Sequence, residues 1–177
     1  MARLSEDSVT DHLAIALAQI NPTVGDVDGN LALLQKARSE AAALGADLVV
    51  TGELALSGYP PEDLVLKPAF QDAIEAAVGV LAGETADGGP AMLTGAPWRG
   101  ADGNLHNAAL LLDEGAVAQV RLKHMLPNYG VFDEMRVFQA GPLPGPIPFR
   151  GVRLGVMVCE DMWTEDVAEC LSESAAE

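Results

Sequence analysis

The sequence predicts an α/β protein in which helices pack in layers against a β-sheet. Residues 13–20 (LAIALAQI) and 47–51 (DLVVT) have the composition of buried strands, and an apolar stripe at helical spacing lies between them. A third apolar run, residues 152–158 (VRLGVMV), comes directly before a polar helix start. This alternation of strands and helices is typical of layered α/β domains.

The composition is that of one folded domain, or of part of one. The chain has 177 residues, and 49% of them are hydrophobic, which is enough to bury a substantial core. There are 26 acidic and 10 basic side chains, and the resulting net charge of −16 repels a phosphate backbone. Nucleic acid is therefore not an expected partner.

The sequence lacks the marks of a membrane or secreted protein. No apolar stretch reaches the roughly 18 to 20 residues that a membrane span requires, and the N-terminus has no basic region followed by an apolar one. The two cysteines, with Cys170 in a helix soon after Cys159, do not suggest a disulfide framework. We therefore expect a cytoplasmic protein with reduced thiols and no membrane partner.

The first half of the chain alternates strand and helix. We expect a flexible polar arm over residues 1–12 and a buried strand over residues 13–20. Asn30 is the expected N-cap of the next helix, and Gly45 is placed to end it. The apolar face of this helix consists of Leu31, Leu34, Ala37, Ala41 and Leu44.

The strand at residues 47–51 places Glu53 close to its carboxyl end. A second helix is expected over residues 68–81 and a further strand over residues 91–96. The order of elements is therefore strand, helix, strand, helix, strand.

An antiparallel hairpin is predicted next. Residues 107–112 and 116–122 flank Asp113-Glu114-Gly115, which is a turn sequence. Lys123 lies at the exit of the second strand of this hairpin. Residues 127–148 then form a long irregular segment that contains proline, glycine and aromatic residues.

A last helix is expected after Thr164, a candidate N-cap, with Val167, Cys170 and Leu171 on one face. Another strand ordinarily follows such a helix, because the helix needs a sheet to cover. We therefore expect residues 13–177 to be the N-terminal part of a longer domain.

Cys159 is the candidate nucleophile. It follows the apolar run at residues 152–158 and precedes Glu160 and Asp161, so a sharp strand-to-helix turn would direct its thiol into a crevice. An ordinary thiol is mostly protonated at neutral pH, so Cys159 requires a base and a cation from the ends of other strands. Trp163, in the same segment, is expected to plug the turn as a core-facing aromatic residue.

Glu53 and Lys123 are the candidates for that base and that cation. Apolar residues follow Glu53, and the low-dielectric surroundings they create suit a general base. Both residues also have simpler interpretations, as a solvated surface carboxylate and as a lysine that protects a sheet edge. Residues 123–138 (KHMLPNYGVFDEMRVF) favour the catalytic interpretation, because a cation, aromatic residues and acidic residues share one irregular loop.

The other candidate groups point to no different chemistry. His124 is an alternative base for Cys159, but Lys123 and His124 would point to opposite sides of a continuing strand. His12 and His106 have no suggestive neighbours, and the sequence contains no cluster with metal-ligand spacing. The glycine-rich segments match neither a P-loop nor a dinucleotide fingerprint, so we expect no cofactor and no metal in this chain.

Three segments together resemble the nitrilase, or carbon–nitrogen hydrolase, superfamily. Residues 52–64 (GELALSGYPPEDL), 123–138 and 159–163 (CEDMW) present a glutamate, a lysine and a cysteine in the chain order of that superfamily's catalytic triad. More narrowly, they are similar to the glutaminase domains of glutamine-dependent NAD synthetases. The resemblance extends from about residue 13 to the end of the sequence.

The resemblance implies a role for individual residues. Glu53 would be the general base, Lys123 the electrostatic stabiliser and Cys159 the nucleophile. Tyr129 matches a position that contacts glutamine. Glu134 matches an acidic residue that supports the triad, and Glu134 and Glu160 complete the expected substrate-binding set.

The resemblance also implies an α-β-β-α sandwich, incomplete here at its C-terminus, and cytoplasmic homo-oligomers. The substrate would be L-glutamine, and the ammonia would pass to a synthetase domain that uses ATP and Mg to convert deamido-NAD to NAD. We expect that domain to be absent from this chain. The alternatives are a free-standing amidase or nitrilase acting on another carbon–nitrogen substrate, and a non-catalytic fragment.

Overall fold

The computed structural model describes residues 12–177, which form an α/β domain as predicted. The helices are α1 (Val27–Ala43), α2 (Pro68–Glu84) and α3 (Glu165–Glu173). The strands are β1 (Ile15–Leu17), β2 (Leu48–Val50), β3 (Ala91–Arg99), β4 (Leu105–Asp113), β5 (Ala116–Leu122), β6 (Ile147–Phe149) and β7 (Val152–Leu154). All but the last residue of the expected N-terminal arm lies outside the described residues.

Five strands form one mixed sheet in the order β1-β2-β3-β4-β5. Strands β1, β2 and β3 are parallel, whereas β4 is antiparallel to both of its neighbours. The predicted hairpin of β4 and β5 is therefore confirmed. Because β3 and β5 are both antiparallel to β4, β5 runs in the same direction as β2 and β3. The carboxyl ends of these three strands therefore lie at one end of the sheet.

Different layers cover the two faces of this sheet. Helices α1 and α2 pack on one face, and β6 together with the segment before Cys159 packs on the other. The first layer includes Leu34, Ile74, Leu81, Met92 and Leu110. The second includes Leu48, Leu111, Ile147, Phe149, Val156 and Val158. Burial of each such side chain contributes about 1.5–3 kcal/mol to the stability of the fold. Both layers therefore stabilise the sheet between them.

The first strand is shorter and more exposed than predicted. Strand β1 covers Ile15–Leu17, not residues 13–20, and Leu17 is 75% exposed. In the described structure β1 pairs with β2 alone, so it lies at an edge of the sheet. An apolar run predicts that a strand forms but does not reveal its place in the sheet, and the expectation of a buried strand was wrong for this reason.

Helix α1 begins earlier than predicted. It starts at Val27, and its N-cap is Asp26, whose carboxylate accepts a hydrogen bond from Gly29 N at 3.0 Å. Asn30 lies inside the helix and is buried, where its side chain donates to Leu56 O at 3.1 Å. Asn30 is therefore a bridge between the helix and the loop after β2, and not a cap.

The other helix ends agree more closely with the prediction. Gly45 ends α1 with a φ of +74°, although Leu44 of the expected apolar face is exposed. Helix α2 starts at Pro68 as predicted, and α3 follows Thr164, whose side chain makes no capping hydrogen bond. None of the helices in residues 12–177 has the length and apolar character needed to cross a membrane.

Residues 152–158 are only partly a strand. Strand β7 pairs antiparallel with β6 in a separate two-stranded sheet and ends at Leu154. The segment continues to Cys159 without ladder pairing, and Val156 and Val158 are buried while Met157 between them is exposed. This alternation has the period of a strand, which is why the sequence predicted one.

Candidate active site

Glu53 is presented by a tight loop that follows β2. Leu54 is fully buried with a φ of +48°, and Leu56 N donates a hydrogen bond to Gly95 O at 3.2 Å. Gly95 on β3 permits this close passage, because a Cβ at that position would lie 2.3 Å from Leu54 N. The loop turns the Glu53 carboxylate inward, and its side chain is only 16% exposed.

Lys123 follows β5 directly, at the same end of the sheet. Lys123 N donates to Asn107 O, and Gly141 N donates to Lys123 O, each at 2.8 Å, so the backbone is held on both sides. The side chain is 0% exposed, and Nζ lies 2.6 Å from Glu53 Oε1. The lysine therefore points into the protein, and its simpler interpretation as a guard of the sheet edge is wrong.

Glu134 provides a second carboxylate for the same ammonium group. Its Oε1 and Oε2 atoms lie 2.9 and 2.8 Å from Lys123 Nζ. Tyr59 OH donates to Glu134 Oε1 at 3.1 Å, and the carboxylate is buried. The cluster of Glu53, Lys123 and Glu134 thus contains two carboxylates around one ammonium.

The sharp turn predicted at Cys159 is present. Cys159 has a φ of +46° and begins a 3₁₀ turn over Cys159–Trp163, directly after the extended residue Val158. A non-glycine residue in the left-handed region is strained, and the surrounding contacts must hold it there. The turn leaves Cys159 on the exposed side of the chain.

Asp161 connects this turn to the segment that carries Lys123. Its Oδ2 accepts a hydrogen bond from Val158 N at 3.0 Å, and its Oδ1 accepts from His124 N and Met125 N at 3.1 and 2.8 Å. The carboxylate is buried, and these three backbone donors satisfy it. One side chain therefore sets the relative position of the cysteine and lysine segments.

Glu53 and Cys159 line one cleft of about 100 Å³. Thr94, Gly95 and Val158 contribute to its walls. The structure therefore brings all three predicted catalytic candidates to one end of the sheet, with Lys123 in contact with Glu53 and Glu53 in the cleft of the cysteine.

The electrostatics of the site favour a protonated thiol. Burial, followed by the negative charge of Glu53, raises the pKa of Cys159 above its ordinary value, although the positive charge of Lys123 opposes the shift. A thiol in this environment retains its proton at neutral pH. It becomes a nucleophile when a neighbouring base removes that proton.

The ammonium of Lys123 is stabilised by its two carboxylate partners. Burial alone would lower the pKa of Lys123, but Glu53 and Glu134 outweigh burial, and the pKa is raised above its ordinary value. Burial raises the pKa of Glu134, while its hydrogen bond with Lys123 acts in the opposite direction. The lysine is therefore a fixed positive charge at neutral pH.

Tyr129 and Glu160 form a polar pair on the exposed side of the site. Tyr129 is 58% exposed, and its hydroxyl donates to Glu160 Oε1 at 2.9 Å. This hydrogen bond to the carboxylate raises the pKa of Tyr129. The pair comes from two segments that the sequence placed in the substrate site, and the structure brings them into contact.

Three other candidates take different positions. The Nδ1–H group of His124 donates to Gly141 O at 2.7 Å, which ties this nitrogen to the backbone. Trp163 is 79% exposed, so the expectation that it would plug the turn toward the core was wrong. Cys170 is half-buried on α3, and its Sγ donates to Pro144 O at 3.5 Å.

Sequence reasoning missed two residues that organise the site, Asn107 and Asp161. Asn107 is fully buried, and its Nδ2 donates to Glu53 Oε1 at 2.8 Å. The signal for Asn107 was a lone polar residue opening the apolar run at residues 107–112. The signal for Asp161 was an acidic residue two positions after the nucleophile, which was interpreted only as part of a polar helix start.

The sequence is similar to known proteins over almost its whole length. The sequence matches the carbon-nitrogen hydrolase family over residues 14–177. It is 46% identical to the glutamine-dependent NAD(+) synthetase of Rhodobacter capsulatus over 169 residues, which cover 96% of this chain and 30% of that protein. The synthetase of Synechocystis sp. is 39% identical over 158 residues, which cover 86% of this chain and 28% of that protein. The chain thus spans less than a third of the length of these relatives.

Solved structures with the same fold come from two kinds of enzyme. The glutamine-dependent NAD+ synthetase of Acinetobacter baumannii superposes with a TM-score of 0.87 at 36% identity, covering 93% of this chain and 31% of the other. An amidase from Nesterenkonia sp. superposes with a TM-score of 0.82 at 28% identity, covering 94% of this chain and 62% of the other. The common fold therefore extends over nearly all of the described residues.

Proposed function

Because the chain belongs to the carbon-nitrogen hydrolase family, we propose that it carries a glutaminase site, which releases ammonia from L-glutamine for the ATP-dependent conversion of deamido-NAD to NAD. The main support is the 2.6 Å contact between Lys123 Nζ and Glu53 Oε1, in a cluster whose carboxylate shares a cleft with Cys159. The 46% identity to a glutamine-dependent NAD(+) synthetase supports glutamine as the amide.

The proposed reaction begins with proton transfer from Cys159 to Glu53. The sulfur attacks the carbonyl carbon of the glutamine side chain, and a carbon–sulfur bond forms as the carbonyl oxygen becomes an oxyanion. Glu53 then returns the proton to the departing nitrogen. The carbon–nitrogen bond breaks, ammonia leaves and a glutamyl thioester remains on Cys159.

In this proposal Lys123 stabilises the oxyanion through its charge. Three carboxylate oxygens already surround Nζ at 2.6, 2.8 and 2.9 Å, so its protons are directed at Glu53 and Glu134. The backbone amide of Glu160, directly after the nucleophile, supplies the hydrogen-bond donor. Donors and charges fixed in advance of the reaction stabilise a developing oxyanion most effectively.

Water completes the proposed cycle. Glu53, ionised again after ammonia has left, removes a proton from a water molecule that attacks the thioester carbonyl. The tetrahedral adduct collapses, the carbon–sulfur bond breaks and the thiol of Cys159 regains its proton. The net change converts glutamine and water into glutamate and ammonia.

Substrate recognition is assigned to the exposed side of the site. Tyr129 and Glu160 would contact the polar amino-acid end of glutamine, because their side chains lie at the surface beside the nucleophile turn. Glu134 would act from behind the cluster, since its buried carboxylate contacts Lys123 and Tyr59. Glu134 then supports the triad and has no direct contact with the substrate.

The proposal assigns the remaining chemistry to other parts of a longer protein. Ammonia would pass to a synthetase domain, where ATP and Mg²⁺ activate deamido-NAD. The glutaminase half-reaction needs Glu53, Lys123, Cys159 and water, and it requires no cofactor in this chain. Assembly into homo-oligomers is part of the same proposal.

The direct test is ammonia release from L-glutamine by the 177-residue chain, measured with a coupled dehydrogenase assay. The expected result is glutamate and ammonia in equal amounts, with no turnover in Cys159→Ala. Ammonia release that persists in Cys159→Ala would contradict the assignment of the nucleophile.

A second candidate is an amidase that acts on simple amides. The likeness to the Nesterenkonia amidase, which extends over 94% of this chain, favours this alternative. Comparing kcat/KM for glutamine with that for acetamide and propionamide distinguishes the two. Preference for the short amides would establish the amidase and exclude a dedicated glutaminase.

A further inference from the structure

Asn107 contacts all three residues of the cluster: both carboxylates through its side chain, and Lys123 through the backbone. Its Nδ2 donates to Glu53 Oε1 at 2.8 Å and approaches Glu134 Oε2 at 3.4 Å. Its backbone oxygen accepts a hydrogen bond from Lys123 N at 2.8 Å. Asn107 belongs to β4, which lies beside the strand that leads to Lys123, and it is 0% exposed.

We propose that Asn107 is a positioning residue that holds Glu53 so that Oε2, and not Oε1, takes the proton from Cys159. The inference deepens the proposed function, because it concerns the base of the same reaction. It assigns the two carboxylate oxygens different tasks, one as an anchor and one as the proton acceptor.

The hydrogen bonds of Glu53 separate these tasks. Lys123 Nζ and Asn107 Nδ2 both approach Oε1, at 2.6 and 2.8 Å. Neither Lys123 nor Asn107 donates a hydrogen bond to Oε2. An oxygen that already accepts two strong hydrogen bonds is the weaker base of the pair, so the proton goes to Oε2.

The chemistry of an amide explains why asparagine occupies this position. Asn107 Nδ2 is a neutral donor between two carboxylates, whereas an aspartate there would add a third negative charge beside one ammonium. The arrangement leaves Asn107 Oδ1 buried without a partner among the described residues, which is unfavourable. An apolar residue of the same shape would avoid that penalty, so packing alone does not account for an amide.

A double-mutant cycle tests the proposal. The cleavage of p-nitroacetanilide, an amide whose hydrolysis needs the base as well as the thiol, is measured at pH 7 by the absorbance of p-nitroaniline in four proteins: the parent, Glu53→Gln, Asn107→Leu and the double variant. Leucine has the shape of asparagine without its donor. The matched control is Asn104→Leu, the same substitution at an exposed position directly before β4.

General-base assistance is worth about 10²-fold or more, so Glu53→Gln is expected to slow cleavage of the anilide strongly. Asn107→Leu is expected to lower the same rate at least about tenfold. The rate of the double variant should lie within about threefold of the Glu53→Gln rate, because the amide acts through the carboxylate. Asn104→Leu should match the parent. An Asn107→Leu rate within about threefold of the parent, or losses that multiply in the double variant, would overturn the proposal.

Two further measurements keep the result decisive. If Asn107→Leu does not fold, the side-chain amide proton resonances of Asn107 are compared by NMR in the parent and in Glu53→Gln. Loss of the charged acceptor should move them upfield, and unchanged resonances would refute the inference. The anilide contains no glutamine, so a parent chain that cleaves it but releases no ammonia from glutamine would reject the proposed function and leave the role of Asn107 intact. If the parent cleaves neither compound, the NMR comparison alone decides.

Discussion

Lys123 Nζ lies 2.6 Å from Glu53 Oε1, and the lysine side chain that makes this contact is completely enclosed by protein. A buried ammonium is unfavourable without a partner, and here two carboxylates stabilise it. The same three groups therefore determine both the stability of this end of the sheet and the charge available for catalysis.

Replacing Lys123 by methionine should destabilise the fold as well as abolish turnover. The variant leaves Glu53 and Glu134 facing each other without a cation, and breaking a buried pair in this way costs about 3–5 kcal/mol. Urea denaturation at pH 7 measures the loss. The matched variant Lys123→Met/Glu134→Gln, which removes one of the two charges, should recover part of it. A single variant within about 1 kcal/mol of the parent would contradict the expectation.

An electrophilic diazo-ketone analogue of glutamine should label Cys159 and leave Cys170 unmodified. Cys159 lies in the cleft with Glu53, whereas Cys170 is half-buried on α3 with its thiol directed at Pro144 O. Peptide mass spectrometry locates the adduct. Cys170→Ser should be labelled like the parent, and adducts on any other residue would refute the assignment of the nucleophile.

The pH dependence of the thiol should respond to its two charged neighbours in opposite directions. Glu53 raises and Lys123 lowers the pKa of Cys159, and the net shift is upward from 9.0. Thiolate absorbance near 240 nm, taken as a difference from Cys159→Ser, should therefore appear at lower pH in Glu53→Gln and at higher pH in Lys123→Met. Because the folded-state pKa is raised, this thiol stabilises the fold below 9.0, and the contribution is lost as the pH rises through the raised pKa. Equal midpoints in the three proteins would show that the thiol is remote from both groups.

Gly95→Ala should impair catalysis by displacing the loop that carries Glu53. The added Cβ would lie 2.3 Å from Leu54 N and 2.7 Å from Gly52 O, and overpacking of this kind costs about 1–3 kcal/mol. Gly79→Ala is the control, because a Cβ at Gly79 in α2 meets nothing within 4 Å. That variant should gain about 0.5–1 kcal/mol from helix propensity. Thermal denaturation and ammonia release from glutamine compare the two variants. Equal stability and equal turnover would show that the Cβ at position 95 does not displace the loop.

Asp161→Asn should loosen the connection between the nucleophile turn and the lysine segment. Asparagine keeps one acceptor oxygen, so its NH₂ group must face a backbone N–H, and the unsatisfied contact costs about 1–3 kcal/mol. Urea denaturation and glutaminase assays measure stability and turnover together. Glu169→Gln, the same chemical change at an exposed position of α3, should remain within about 0.5 kcal/mol of the parent. If Asp161→Asn changes the free energy of unfolding and the turnover as little as Glu169→Gln does, Asp161 does not hold the two segments together.

The sequence was sufficient to predict that Glu53, Lys123 and Cys159 lie at one end of the sheet, because each of them follows an apolar run. Glu53 follows β2, Lys123 follows β5, and the segment before Cys159 packs on the same sheet. The carboxyl ends of parallel strands lie at one end of a sheet. Residues that follow such strands are therefore expected to lie close together in the fold, even when they are far apart in the sequence.

Features that depend on long-range packing could not be predicted from local sequence patterns. Asp26 and Asn30 are both good N-cap residues, and the choice between them was decided by the bond from Asn30 to Leu56, 26 positions away. The enclosure of Lys123 likewise depends on Glu134 and Glu53, the latter 70 positions away. No window of neighbouring residues contains that information.

The 70-residue separation between Glu53 and Lys123 also bears on the stage of folding at which their contact can form. Contacts between residues so far apart form late in folding, because chain entropy opposes them until the intervening strands have paired. The helices and the β4–β5 hairpin depend on contacts between residues closer in the sequence than Glu53 and Lys123. The proposed catalytic cluster is therefore expected to assemble among the last parts of the domain, once the sheet is complete.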